Sequence, residues 1–471
     1  MAVRVGKLTA VFRSWCVGGD FRTVFQDGIG GEAMRKHVVV FLDIAAFSAG
    51  QFEKWRDSLP TLSEIAERGT YRPLKPTFPA LTCSQQATFF AGKPPADHGI
   101  VGNGWFDRDL MSVAMWPQEA SRARGPMLWD IYRERDPKSI VALLFLMQSR
   151  YANAEIVVGP APLHTEDGTI EWCYSKPPGL YERLAEKLGA FKLASFWGPL
   201  AGWESSEWIA NAALWLLENE TPDCAVVYLP QMDYVCQRKG PYSEEAHNDA
   251  AKLDSIIKRF YDWCCDWGNA VLIVASEYGM TEVNRVVYPN RLLREAGLVK
   301  LREIGGGLYI DFEHSDAFAV CDHQVAHIYC RGDAAERVRE IMSGVDGVAA
   351  VWGEEQKKAA QVAHPRCGDL ILVAEPNTWF AYYYWDEGEE RLPFFAHKVD
   401  IHNKPGYDPC ELFFDPQIKG IPLAPHLIKG SHGAVGDGAE DAVFFCSGGV
   451  GDYAPQKLAS TQILAMLYRV M

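Results

Sequence analysis

The chain has 471 residues, 48% of them hydrophobic, and a formal net charge of −15. So much apolar material builds a large core, while the acidic balance excludes a nucleic-acid duplex or an anionic membrane as partner, since their phosphates need a basic face. A small phosphorylated ligand remains admissible, because a bound divalent cation reverses the sign of the local field.

Residues 1–36 read as an N-terminal extension that lacks the apolar stretch and small-residue cleavage site of a secretory leader. Met34, ahead of a basic pair and a strand, is a candidate start. No run of 18 apolar residues occurs, so no spanning helix is expected. Twelve cysteines are scattered without a C-x-x-C pair. That pattern suits thiols in a reducing compartment, and the expected location is the cytoplasm.

HVVVFLD (37–43) is a near-continuous apolar run, as expected of a parallel strand buried on both faces. SIVALLFL (139–146), DCAVVYLPQMD (223–233) and NAVLIVASE (269–277) repeat the pattern. Three of the four runs finish on an acid: Asp43, Asp233 and Glu277. Helical patterns cover 51–67, 82–92, 178–188, 204–218 and 244–264. Strand and helix in alternation predict an α/β protein with a central, mostly parallel sheet flanked by helices. Ligands of such sheets collect beyond the carboxyl ends of the strands. One acid there caps a helix unremarked; three in phase point to a shared site.

The character changes between 285 and 425. AFAVCDHQVAHIYC (317–330), a charged helix at 333–344, GVAAVW (347–352) and GDLILVAEP (368–376) predict a smaller α+β cap. FAYYYW (380–385) reads as an aromatic strand used for packing. DAVFFCSGG (441–449) reads as a last core strand and 455–470 as a closing helix. The expected core is therefore 37–284 with 426–471, and the cap 285–425.

FPALTCSQQATFFAGKPPADHGIVGN (78–103) carries the most chemistry. Thr82 falls at a helix N-terminus, where a hydroxyl either caps the helix or sits in a positive field that favours an alkoxide and attracts phosphate. A threonine used as a nucleophile needs a metal or a base beside it. This segment resembles the nucleophile segment of the type I phosphodiesterase/nucleotide pyrophosphatase family of the alkaline phosphatase superfamily, and equally that of phosphonoacetate hydrolases. QMDYVCQ (231–237), SEYGM (276–280) and GSHG (430–433) are similar to that family's metal-ligand motifs, in the same order.

The resemblance implies an alkaline-phosphatase-like core and a Thr82 nucleophile that forms a phosphothreonine intermediate. It implies Asn103 on a phosphoryl oxygen, and metal ligands at Asp43, Thr82, Asp233, Gln237, Glu277 and His432. Three positions depart from the pattern: Gln237 and Tyr278 stand for histidines and Glu277 for an aspartate. The family's ions are zinc, but an oxygen-rich set with one imidazole leans toward Mg²⁺ or Mn²⁺, as one ion or two. Tyr278, with Asn103, is then expected to contact the substrate. His98 is expected to hold its own HGI turn. His323, His327 and 400–409 offer further donors, for which a structural role is the commoner outcome.

The expected activity is metal-dependent hydrolysis of a phosphodiester or pyrophosphate bond in a small phosphorylated substrate. The alternatives are a degenerate relative that binds phosphate ligands without turnover, and a phosphonate C–P hydrolase. Oligomeric state has no signal in the sequence.

Overall fold

The computed structural model describes residues 35–471 apart from 167, 437 and 438. The expected extension therefore lies outside the described residues up to position 34, Met34 included.

Nine strands build the main sheet: β1 (Val38–Ile44), β2 (Thr70–Lys75), β3 (Val141–Leu144), β4 (Ile156–Pro160), β5 (Cys173–Lys176), β6 (Cys224–Leu229), β7 (Ala270–Ser276), β8 (Ala442–Cys446) and β9 (Leu458–Ala459). Their order is β9-β2-β8-β7-β1-β6-β3-β4-β5. The middle five, β7 through β4, are parallel, and β8, β2 and β5 introduce antiparallel pairings at the flanks. Every residue of β1 and β6 is buried, which is why these strands read as unbroken apolar runs rather than alternating ones.

The helix Glu244–Trp267 shows how the flanking layer is specified. Ser243 accepts the Ala246 N–H at 3.1 Å to start it, and Gly268, at φ +76°, ends it. Ala246, Ala250, Leu253, Ile257, Phe260 and Cys264 form its buried stripe. The other helix that matters, α1 (Thr82–Ala91), has no exposed face at all.

A four-stranded antiparallel sheet, ordered 317–322, 325–330, 370–374 and 348–352, makes a second layer with its own apolar cluster. Its first two strands are joined at His323 and Gln324, and His323 takes a left-handed φ of +58°.

Three expected elements differ. The helix over 51–67 is two helices, Ala49–Trp55 and Pro60–Arg68, because Pro60 has no N–H to continue the first. The aromatic strand over 380–385 is only Thr378–Phe380; Tyr382 to Trp385 are buried packing residues. The closing helix begins at Ile463, because Leu458 and Ala459 first pair with β2.

Candidate active site

Thr82 is the first residue of α1, and the N-cap position belongs to Leu81, which makes no side-chain cap. The Thr82 hydroxyl is therefore not spent on capping. It lies 3.0 Å from Tyr278 Oη.

Asp43 pairs with Ala275 in the β1–β7 register, and the Glu277 N–H donates to Ile44 O at 2.9 Å, so both acids sit at the carboxyl edge of the sheet. Both are wholly buried. Burial pushes both carboxyls well above the usual range, and the charge of Asp43 raises Glu277 further. Gln86, one turn along α1 from Thr82, donates to Glu277 Oε1 at 2.7 Å and accepts the Met147 N–H at 2.8 Å. No hydrogen bond reaches either Asp43 oxygen or Glu277 Oε2. Three unpartnered carboxylate oxygens near a hydroxyl are the donors a hard divalent cation takes. Two buried carboxyls so placed do not both ionise without one. The residues fit one such ion.

The other half of the site is already satisfied from within. Asp233 lies in the first turn of α2 (Gln231–Lys239). Gln237 Nε2 donates to Asp233 Oδ2. The Gln237 amide is itself held by Tyr407 Oη, at 2.8 Å from its nitrogen and 3.0 Å from its oxygen. Tyr278 donates its hydroxyl to Asp233 Oδ1 at 3.2 Å and stacks on His432, ring centroids 3.6 Å apart. Burial raises Asp233 to about 7, against the lowering effect of the Gln237 and Tyr278 bonds. His432 Nδ1 bonds Ala80 O at 2.7 Å; its Nε2 lies 3.5 Å from Asp233 Oδ1 without forming a hydrogen bond. Burial holds this imidazole neutral. Where an imidazole pair is expected, a phenol and an amide supply donors rather than ligands.

Asn103 ties α1 to the cap sheet. Its Oδ1 accepts the Cys83 N–H at 3.0 Å. Its backbone N–H and Nδ2 donate to Asp322 at 2.9 and 3.2 Å. Burial raises Asp322 to about 6. His323 donates from Nδ1 to Asp322 Oδ1 at 2.8 Å, and its ring lies between Tyr407 and His432 with centroids 3.8 Å from each.

A model of type I phosphodiesterase/nucleotide pyrophosphatase matches residues 39–408. The chain belongs to that family. Among curated relatives of this phosphodiesterase-family protein, an ectonucleotide pyrophosphatase/phosphodiesterase of Caenorhabditis elegans is 21% identical over 374 residues, 78% of this chain and 42% of its own length. An uncharacterized pyrophosphatase/phosphodiesterase of Schizosaccharomyces pombe is 33% identical over 92 residues, 19% of this chain and 17% of its own. The chain thus spans less than half the length of the curated relatives it matches.

Phosphonoacetate hydrolase from Sinorhizobium meliloti, solved with phosphonoformate, superposes with a TM-score of 0.61 at 18% identity, covering 93% of this chain and 96% of its own. Murine ectonucleotide pyrophosphatase/phosphodiesterase 5 superposes at 0.56 and 15% identity, over 92% and 95%. An inactive form of the murine protein was solved with AMP. Identities this low establish the alkaline-phosphatase-like fold and nothing about side-chain roles.

The remaining candidates of this family member have structural posts. His98 bonds Thr88 Oγ1 and accepts the Ile100 N–H, both at 3.1 Å, holding its own turn as expected. His327 bonds Val101 O at 3.1 Å and accepts the Gly368 N–H at 3.2 Å. Lys404, in 400–409, is buried between Asp408 (2.8 Å) and Glu411 (2.6 Å). Among the described residues, the three acid or imidazole side chains with donors within 4.8 Å of one another are Asp311, Glu313 and His314. They are at least partly exposed; Asp311 and Glu313 pair with Arg302, and His314 with Asp311. Among the described residues, no helix is long and apolar enough to cross a membrane.

Gln86, Asp322 and Tyr407 went unread in the sequence. Gln86 had a signal, since it follows Thr82 by four and shares its helix face. Asp322 and Tyr407 lie in the donor-bearing segments 322–327 and 400–409, but only the cap's approach to the core picks them out.

Proposed function

We propose that the chain hydrolyses a phosphodiester or pyrophosphate bond of a small phosphorylated substrate, with Thr82 as nucleophile and one divalent cation, Mg²⁺ or Mn²⁺, held by Asp43, Glu277 and Thr82. The observation that carries this is the set of three buried, unpartnered carboxylate oxygens of Asp43 and Glu277 beside the first turn of α1. When bound, the cation supplies positive charge that lowers the pKa of the coordinated hydroxyl and screens the phosphoryl oxygens.

The chain's own groups do the rest. Tyr278 gives its one proton to Asp233, so Thr82 is the donor to Tyr278 Oη. As Thr82 Oγ attacks, its proton passes to Tyr278 and the Tyr278 proton to Asp233, a base poised near neutrality at about 7. The new Oγ–P bond forms as the bond from phosphorus to the leaving oxygen breaks. The leaving oxygen takes up a proton from solvent; water then attacks phosphorus as the Oγ–P bond breaks, losing its own proton to solvent, and the proton held on Asp233 returns through Tyr278 to Thr82 Oγ. Amide groups of the first turn of α1 favour the anion.

The test is hydrolysis of bis(p-nitrophenyl) phosphate after chelation, with Mg²⁺, Mn²⁺ or Zn²⁺ returned singly. Turnover should recover with Mg²⁺ or Mn²⁺ and disappear in Thr82→Ala. Tyr278→Phe should lower kcat by about 10- to 100-fold with little change in KM. Undiminished turnover in Thr82→Ala defeats the proposal. The second reading, a phosphate-binding relative without turnover, is favoured by the Gln237 and Tyr278 bonds that fill Asp233. Phosphate binding without hydrolysis under any cation decides for it. The C–P reading calls for a cation free to meet a substrate carboxylate, and the buried Lys404 is committed to Asp408 and Glu411.

A further inference from the structure

The cap places a fixed negative charge in the donor array next to the nucleophile. Asp322 is almost wholly buried. It accepts the backbone N–H of Asn103 at Oδ2 and one side-chain amide N–H at Oδ1, and Asn103 in turn accepts the N–H of Cys83, the neighbour of Thr82. A carboxylate and a phosphoryl group present the same acceptor oxygens to such donors. The partner in ion-pair range of Asp322 among the described residues is His323, which bonds it through Nδ1 while its buried Nε2 has no partner to receive a second proton's hydrogen bond, so the imidazole is neutral and the carboxylate charge is not cancelled. His327, which accepts the Gly368 N–H at Nδ1, and His432, whose Nε2 has no hydrogen-bond partner, also face it as neutral imidazoles.

The turn cannot drift away easily. Gln324 N–H donates to His432 O at 2.9 Å, and Phe380 N–H donates to His323 O at 2.7 Å. Gln324 Nε2 reaches Pro376 O at 3.0 Å and Thr378 O at 3.3 Å. These bonds hold His323 at φ +58°, a conformation that a non-glycine residue keeps only when its surroundings impose it.

We propose that Asp322 is a specificity-determining residue, selecting substrates whose attacked phosphorus carries a single negative charge, diesters over monoesters. The proposal rests on the phosphoester reading above. A dianionic phosphoryl group beside Asp322 meets roughly twice the repulsion a monoanionic one meets at the same place, and a buried site screens it poorly.

The experiment compares kcat/KM for p-nitrophenyl phosphate and bis(p-nitrophenyl) phosphate in the full chain, Asp322→Asn and Asp322→Glu, at about pH 8 where a carboxyl is charged. Asp322→Asn keeps the shape and an acceptor for Asn103 while removing the charge. The monoester-to-diester ratio should rise about tenfold or more in Asp322→Asn and stay near the parent value in Asp322→Glu. A ratio unchanged in Asp322→Asn, or shifted toward the diester, overturns the assignment.

Calorimetry with inorganic phosphate and with dimethyl phosphate on the Mg²⁺-loaded proteins needs no turnover. Inorganic phosphate should bind about tenfold tighter to Asp322→Asn, with dimethyl phosphate nearly unchanged. That shift in a chain that hydrolyses neither ester keeps the role of Asp322 and sinks the hydrolase reading. Equal shifts for both ligands, or no phosphate binding to either protein, sink the role of Asp322. If thermal melting shows that Asp322→Asn is unfolded, Asp322→Ser replaces it, with the same outcomes.

Discussion

Asp43 and Asp233 are both buried aspartates at the carboxyl edge of the parallel strands, yet their surroundings are opposite. Asp43 has no hydrogen-bond partner on either oxygen, and Glu277 beside it keeps one oxygen bare. Asp233 receives Gln237 on one oxygen and Tyr278 on the other. A site that strands carboxylates leaves room for a cation; a site that supplies neutral donors to them removes the need for one. The difference teaches that an amide and a phenol, at Gln237 and Tyr278, are enough to satisfy one buried carboxylate from within while its neighbours across the site stay bare.

The largest effect is expected where the donors are bare. Asp43→Asn should cost about a thousandfold in kcat/KM and abolish the Mg²⁺-dependent rise in melting temperature. Full activity in Asp43→Asn would erase the distinction between the two halves. Next comes the anchor of the satisfied half. Lys404→Met leaves Asp408 and Glu411 buried without their cation, and should destabilise the chain by about 3–5 kcal/mol in denaturant titration. A change below about 1 kcal/mol would mean the triad is already neutral or hydrated.

The comparison can also be reversed by design. Gln237→His with Tyr278→His should restore imidazole donors around Asp233 and add about one zinc ion per chain, over the parent, by elemental analysis. No added ion in the double variant would show that the surrounding packing, not the two side chains, closes that half.

The remaining effect shows itself only on acidification and concerns His98, which supports α1 through Thr88. Burial lowers its pKa from 6.5 to about 3. Its folded pKa lies below its unfolded one, so the stabilisation is complete above the unfolded value and is lost as pH falls from 6.5 toward 3. Over that window the parent chain should lose about 1.4 kcal/mol per pH unit more than His98→Gln, with the buried carboxylates common to both cancelling. Parallel pH profiles would show that His98 gains a proton without unfolding.

The strands β1, β6 and β7 were legible because a strand buried on both faces must be apolar throughout, and the acid that follows each run breaks the pattern visibly. Asp43, Asp233 and Glu277 stood out at the ends of such runs and Thr82 at the head of a helix, whereas Tyr278 stood out only through the resemblance to the family's motif. Met34 and the residues before it lie outside what the structure describes. The split of 51–67 is written in Pro60, whereas the late start of the last helix depends on β9 finding the distant edge of β2.

What the sequence by itself determined is the local chemistry: which side chains stand at strand ends and at the N-terminus of α1, and that two histidines of the family pattern are replaced. Only the tertiary structure decided how those side chains spend their hydrogen bonds. Tyr407 reaches Gln237 across 170 positions, and Asp322 reaches Asn103 across 219. Contacts over such separations leave no periodicity in the chain, because they are set by how the cap sheet docks on the core and not by the backbone geometry of either element.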